Sequence, residues 1–237
     1  VGYSLSAPPG LYSTENGEEN KNGPPKGNTS MTPDNPEAQS TSPNSPVQPA
    51  ASQPSVKPWK LVSSKALGDY RIFSLNTISK ISPRTGREHD FFVIKTSDWV
   101  NVIAVTPDQK LVMVEQVRHG TDTVELEVPG GMIDAKDVSP VEAGLRELRE
   151  ETGYTGENAR SIGSVFPNPA IMNNTCHTVL VENCRCGHAR EWDHAEDIVT
   201  RLVPVEDIPR MVADGVIRHS LVVVALTHFD LLRRGMK

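Results

Sequence analysis

The chain predicts an α/β (α+β) sandwich, and three observations carry that expectation. Several short segments alternate apolar and polar residues with a period of two, two later segments switch to a helical period, and the composition changes abruptly at Pro58. Of the 19 prolines in 237 residues, ten fall within residues 1–57, among Ser, Asn, Gly and Gln and with few large apolar side chains. Such a stretch buries too little surface to offset the entropy of ordering it, so residues 1–57 are expected to be a disordered, solubilising tail. Residues 58–237 are enough for one domain with its own core.

Alternation and β-branched content place strands near Tyr70–Ile78, Asp90–Lys95 and Val100–Val105. Ser82-Pro-Arg-Thr-Gly86 supplies a turn between the first two. Thr106-Pro-Asp-Gln109 is a second turn, leading into a strand at Leu111–Gln116, and Thr123–Glu127 reads as a short strand after it. Around Pro140–Thr152 the period becomes helical. Ser161–Val165, Thr178–Val181 and Ile198–Pro204 read as further strands, and Arg218–Arg234 as a closing amphipathic helix.

Charge and cysteine content exclude several classes. With 24 Lys and Arg against 30 Asp and Glu, the net charge of −6 provides no broad cationic face for a nucleic-acid polymer. The three cysteines are an odd number crowded between Cys176 and Cys186, which fits a reducing compartment better than a disulfide framework and makes a cytoplasmic address the default. No apolar run approaches the roughly 20 residues that span a bilayer, and the first residues show no signal-peptide pattern, so no membrane association is expected. Cys176, His177, Cys184, Cys186 and His188 invite a zinc reading, but their spacing lacks paired cysteine knuckles, and incidental thiols explain them better.

The most informative segment runs from Gly130 to Gly153. Ser139 is a good N-cap, Pro140 suits the first helical position, Glu142 completes a capping box, and Gly153 is a left-handed stop. Between the caps, Glu147, Glu150 and Glu151 stand at i, i+3 and i+4, on one helix face. Like charges at that spacing destabilise a helix, and a divalent cation relieves the conflict. Clustered carboxylate oxygens favour a hard ion, Mg²⁺ or Mn²⁺, that keeps several waters. Arg146 is placed to orient one carboxylate without taking the metal's place. Taken alone, a solvated acidic face with an i,i+4 ion pair is the commoner meaning of such a helix.

Joined to the glycine loop before it and Gly153 after it, the helix resembles the Nudix hydrolase signature. Arg146-Glu-Leu-Arg-Glu-Glu-Thr-Gly-Tyr154 matches the signature's second half. Counting from Gly131, the outlying Glu of the first half falls on Asp137, and one extra residue separates the halves. Arg87–Val93, Asp98–Asn101, Glu115–His119 and Leu126–Gly131 extend the resemblance over residues 58–237, to the branch acting on ADP-ribose and nucleotide sugars.

The resemblance implies an α/β/α sandwich with a mixed central sheet and an amino-terminal β extension, divided into strands over 58–97 and a catalytic core over 98–237. It implies a Mg²⁺-dependent pyrophosphatase acting on a small-molecule nucleotide, with Glu147, Glu150, Glu151 and Gly131 around the metal and Arg146 in the catalytic set. Arg118 corresponds to an arginine directed at the substrate diphosphate, a task suited to a bidentate guanidinium. Gln116 is assigned to the substrate with it. Trp99 is either a plane for a nucleobase or a core anchor. Asn168, Asn173 and Asn174 lie in the segment that resembles a sugar-diphosphate pocket lining, and Glu196, ahead of Asp193 and Glu191, is the candidate base. Relatives in this branch form homodimers through their amino-terminal strands, here near residues 60–95. The alternatives are a nucleoside triphosphate or dinucleotide pyrophosphatase, and a non-catalytic nucleotide-sugar sensor. The intact carboxylate cluster argues against the sensor.

Overall fold

The computed structural model describes residues 56–191 and 197–236. Apart from Val56 and Lys57, the expected tail therefore lies outside the described residues, as does the acidic segment 192–196. From Pro58 onward the described residues build ten strands and three helices.

Lys60–Asp69 (β1), Phe73–Ile81 (β2) and Glu88–Thr96 (β3) form an antiparallel sheet in the order β1-β2-β3. Ser82 and Gly86 close the β2–β3 turn, the Gly86 N–H donating to the Ser82 carbonyl at 2.8 Å. The first strand expected from the sequence begins three residues later than predicted, because Tyr70–Ile72 are used as a turn. There Arg71 takes a left-handed φ of 69°, and its N–H donates to Asp69 Oδ1 at 3.0 Å. β1 itself, KLVSSKALGD, carries too little alternation to be read as a strand and is exposed almost throughout.

The second sheet is antiparallel, Val199–Pro204 (β10) and Thr123–Glu127 (β6) flanking Lys110–Arg118 (β5). The third is mixed, in the order β7-β4-β9-β8, where Gly130–Met132 is β7, Trp99–Ala104 is β4, Cys176–Cys186 is β9 and Tyr154–Val165 is β8. β4 and β9 pair in parallel, Val102 opposite Val179, whereas β7 and β8 run antiparallel to their neighbours. β8 and β9 are longer than their apolar stretches foretell. Asn158 at φ 53° lies between register shifts in β8, so polar residues that read as loop stay in the ladder.

Alternation along the central strands divides the core in two. Val100, Val102 and Ala104 of β4, with Val179 and Val181 of β9, pack against Ala143 and Leu148 of the helix Pro140–Thr152 (α1). Ile103 and Leu180, on the opposite faces of those strands, join Leu111 and Met113 under Val222, Ala225, Leu226 and Phe229 of the helix Ser220–Arg233 (α3). A six-residue helix, Ile208–Ala213 (α2), closes that second core through Ile208. The result is an α/β/α sandwich with a mixed central sheet and an amino-terminal antiparallel sheet. Among the described residues no helix is long and apolar enough to cross a membrane.

Candidate active site

The metal-ligand candidates belong to a helix whose ends are fixed locally. Ser139 Oγ accepts the Glu142 N–H at 3.1 Å, Glu142 reaches back to the Val138 N–H at 2.7 Å, and Gly153 ends the helix at φ 74°. These caps set the rotation of α1, which places Glu151 on the buried face with Leu148, and Glu147 and Glu150 at its edge. All three carboxylates line one cavity of about 580 Å³, a size suited to a nucleotide-sized ligand.

The glycine loop comes to the helix through β7, which pairs with β4 so that Gly131 stands opposite Val100 and Gly130 opposite Asn101. Neither glycine has room for a side chain. A Cβ on Gly130 would lie 2.2 Å from the Val100 carbonyl oxygen, and one on Gly131 would lie 2.5 Å from Glu147 Oε1. The Gly130 N–H donates to Glu151 Oε2 at 3.2 Å, which offsets part of the cost of burying that carboxylate.

Arg146 organises the acids around it. Its Nη1 donates to Glu147 Oε1 at 2.9 Å and to Glu150 Oε2 at 3.0 Å, and its Nε and Nη2 engage Asp137 at 3.2 and 2.9 Å. Asp137 anchors the arginine, and the guanidinium holds its carboxyl below the usual carboxylate range. Bonding to Asp137, with Glu147 and Glu150 beside it, raises the Arg146 pKa further, so the clamp stays charged at any working pH. The donor set fits a hard divalent ion: carboxylate oxygens from three residues at a polar cavity wall. Among the described residues no three His, Cys, Asp or Glu side chains close around a point.

The remaining expected residues divide. Trp99 and Gln116 line the cavity, and so does Arg118. The Arg118 Nε and Nη2 donate to the two oxygens of Glu127, both at 2.7 Å, and this buried partner raises the arginine's pKa. Part of its fork is thereby spent on fixing its direction. Asn168 and Asn173 stand apart from the cavity lining: the Asn168 carbonyl accepts the Met172 N–H at 2.8 Å, and Asn173 Oδ1 accepts the Thr96 N–H at 3.1 Å, tying the loop to β3. Asn174 is buried, with no hydrogen-bond partner for its amide among the described residues. Glu196, with Asp193 and His194, lies outside the described residues. Glu191 lines the cavity, its N–H donating to the Glu150 carbonyl at 2.9 Å.

Sequence reasoning missed Arg71, Ile72, Asn101, Glu127, His219 and Leu221 at the cavity wall. Glu127 carried a usable signal: in the strand Thr123–Glu127 it points the same way as Glu125, toward the side where Gln116 and Arg118 lie. Arg71 and His219 are brought in by tertiary packing alone. Burial pushes the Cys176 thiol up to about 11 and that of Cys184 to about 12, so both stay protonated near neutral pH.

Known proteins resemble this chain in sequence and in fold. An ADP-ribose pyrophosphatase of Bacillus subtilis (strain 168) is 27% identical over 177 residues, covering 73% of this chain and 95% of that protein. An ADP-sugar pyrophosphatase of Mus musculus is 40% identical over 91 residues, 37% of this chain and 41% of the mouse protein. The crystal structure of an ADP compounds hydrolase superposes with a TM-score of 0.68 at 18% identity, covering 78% of this chain and 98% of that one, which supports the fold. The NUDIX domain profile matches residues 96–223, the stretch that holds the glycine loop, the carboxylate helix and its clamp, and more than half the chain. The chain belongs to the NUDIX domain family.

Proposed function

We propose that the protein is a divalent-metal-dependent pyrophosphatase that hydrolyses the diphosphate of ADP-ribose or a nucleoside diphosphate sugar, releasing a nucleoside monophosphate and a sugar phosphate. The observation that carries this reading is the placement of Glu147, Glu150 and Glu151 in one cavity with the Arg146 clamp and the glycine loop. Two of the relatives are named ADP-ribose and ADP-sugar pyrophosphatases, which directs the choice of substrate.

A bound Mg²⁺, or Mn²⁺ in its place, supplies Lewis acidity: it offsets charge on the diphosphate and makes attacking water more acidic. Glu150 and Glu151 are the principal ligands, and Glu147 is a ligand or a water-mediated partner. Arg146 holds Glu147 and Glu150 in place through one oxygen of each, so their geometry is set before substrate arrives. Arg118, aimed by Glu127, meets the diphosphate, and Trp99 offers a plane to the base. Gln116 contacts substrate beside it, and Glu196 takes the proton from water. Asn168 and Asn173 act on the sugar end through the loop they stiffen.

The exposed aromatic and aliphatic side chains of the amino-terminal sheet, Leu61, Val62, Phe91 and Phe92 among them, support assembly as a homodimer through residues 60–95. Free cysteines suit a cytoplasmic setting. The test is turnover of ADP-ribose, nucleotide sugars, dinucleotides and triphosphates with Mg²⁺. ADP-ribose or a nucleotide sugar is expected to give the highest kcat/KM; preference for triphosphates or dinucleotides would move the assignment within the enzyme class, and silence throughout would leave a binding module.

A further inference from the structure

We propose that His219 is a substrate-binding residue that donates an Nε2–H hydrogen bond to a phosphate oxygen in the cavity. The proposal takes its ligand from the diphosphatase reading above. His219 precedes α3 and lines the cavity. Its backbone is extended, at φ −64° and ψ 119°, and its side chain makes no capping bond to the helix. The segment is held firmly on both sides. Asn101 Nδ2 donates to the Leu221 carbonyl at 3.1 Å, and the Arg218 guanidinium grips the buried Glu125 carboxylate through Nε at 3.0 Å and Nη2 at 2.8 Å.

The ring's own chemistry selects the tautomer. Nδ1 is occluded from solvent and has no hydrogen-bond partner among the described residues. A neutral imidazole carries one N–H and one bare nitrogen, and a buried N–H left unpaired is the rarer and costlier choice. The bare nitrogen therefore belongs at Nδ1, and the proton at Nε2, the ring's other polar atom. That donor is what the half-buried ring offers to the cavity.

The cavity's charge inventory says what needs it. Six carboxylates line the wall (Glu127, Asp134, Glu147, Glu150, Glu151 and Glu191), against the arginines Arg71, Arg118 and Arg146. Arg146 is committed to Asp137, Glu147 and Glu150, and two of Arg118's three guanidinium nitrogens to Glu127. A polyanion entering such a cavity meets few protein donors, and a neutral N–H serves phosphate oxygens without adding a charge that the acids would capture.

Calorimetric binding of magnesium pyrophosphate, a ligand whose only contact atoms are phosphate oxygens, tests the contact directly. His219→Ala is expected to weaken binding about tenfold, the size of one hydrogen bond to a charged group. His219→Gln, which can bring an N–H close to the Nε2 position, should recover most of that affinity, and His219→Asn, which places it near Nδ1, should not. Melting curves show whether each variant is folded. Equal affinity of wild type and folded His219→Ala overturns the proposal, as does rescue by Asn rather than Gln, or failure of the wild type to bind. Turnover of ADP-ribose separates the two readings. The predicted binding pattern without hydrolysis defeats the function and leaves the contact, whereas hydrolysis with unchanged kcat and KM in His219→Ala defeats the contact and leaves the function.

Discussion

Glu151 concentrates the conflict on which the site is built: a carboxylate 4% exposed, one turn from Glu147, that accepts the backbone N–H of Gly130. Replacing its charge while keeping its shape, Glu151→Gln, is expected to cut turnover by orders of magnitude and leave the melting temperature at or above that of the wild type, because the buried charge is costly to the fold. The neighbouring glycines separate the two roles. Gly130→Ala would drive a Cβ into the Val100 backbone and is expected to lower the melting temperature by several degrees. Gly131→Ala meets only the movable end of Glu147 and should reduce kcat with little change in melting. Asp137 gives a pH signature. Its folded-state carboxyl is held below the ordinary value of about 3.9 by Arg146, so its contribution to stability is complete above that value and is lost as pH falls through the depressed one. Asp137→Asn should therefore lower stability at neutral pH and flatten the acid limb of an unfolding-versus-pH curve. At this scale the carboxylates and Arg146 were legible because their spacing on a helix fixes which of them meet. Glu127 could be read only in its facing, through the alternation of its strand, and His219 not at all, since its neighbours come from elements far away in sequence.

The helix α1 could be read end to end, because every signal that sets it is local: Ser139, Pro140, Glu142 and Gly153 act within one turn of its termini. Ser139→Ala should cost about 1 kcal/mol, read as a drop of roughly 2–4 °C in melting temperature. It should also loosen the carboxylate face and raise the Mg²⁺ concentration needed for half-maximal rate. β1, β7 and α2 were not legible, for three different reasons. β1 is a polar edge strand whose pairing with β2 rests on backbone bonds. β7 is three residues beginning with two glycines, a loop by composition that becomes a strand because β4 presents its edge. α2 is shorter than two full turns, too short for a period to show. Arg118 teaches a related lesson. Its place at the end of β5 was evident, but its bidentate bond to Glu127 depends on the pairing of β5 with β6, so a residue expected to contact substrate also braces the cavity wall.

Across the whole molecule, an acidic chain of net charge −6 is read as taking a polyanionic substrate, with the cation and a few fixed donors supplying positive charge locally. The amino-terminal sheet carries the proposed assembly. Light scattering is expected to give twice the 25.9 kDa chain mass, and Phe92→Asp, at a side chain 64% exposed on β3, should shift the protein toward the monomer. A monomeric wild type would remove the dimer from the account without touching the chemistry. That chemistry is tested most directly by identifying the products formed from ADP-ribose with Mg²⁺, for the wild type beside Glu151→Gln. The account predicts AMP and ribose 5-phosphate in equal amounts from the wild type, and at least a hundredfold less of both from the variant. Near-equal rates from the two proteins, or intact ADP-ribose after incubation with the wild type, would contradict it.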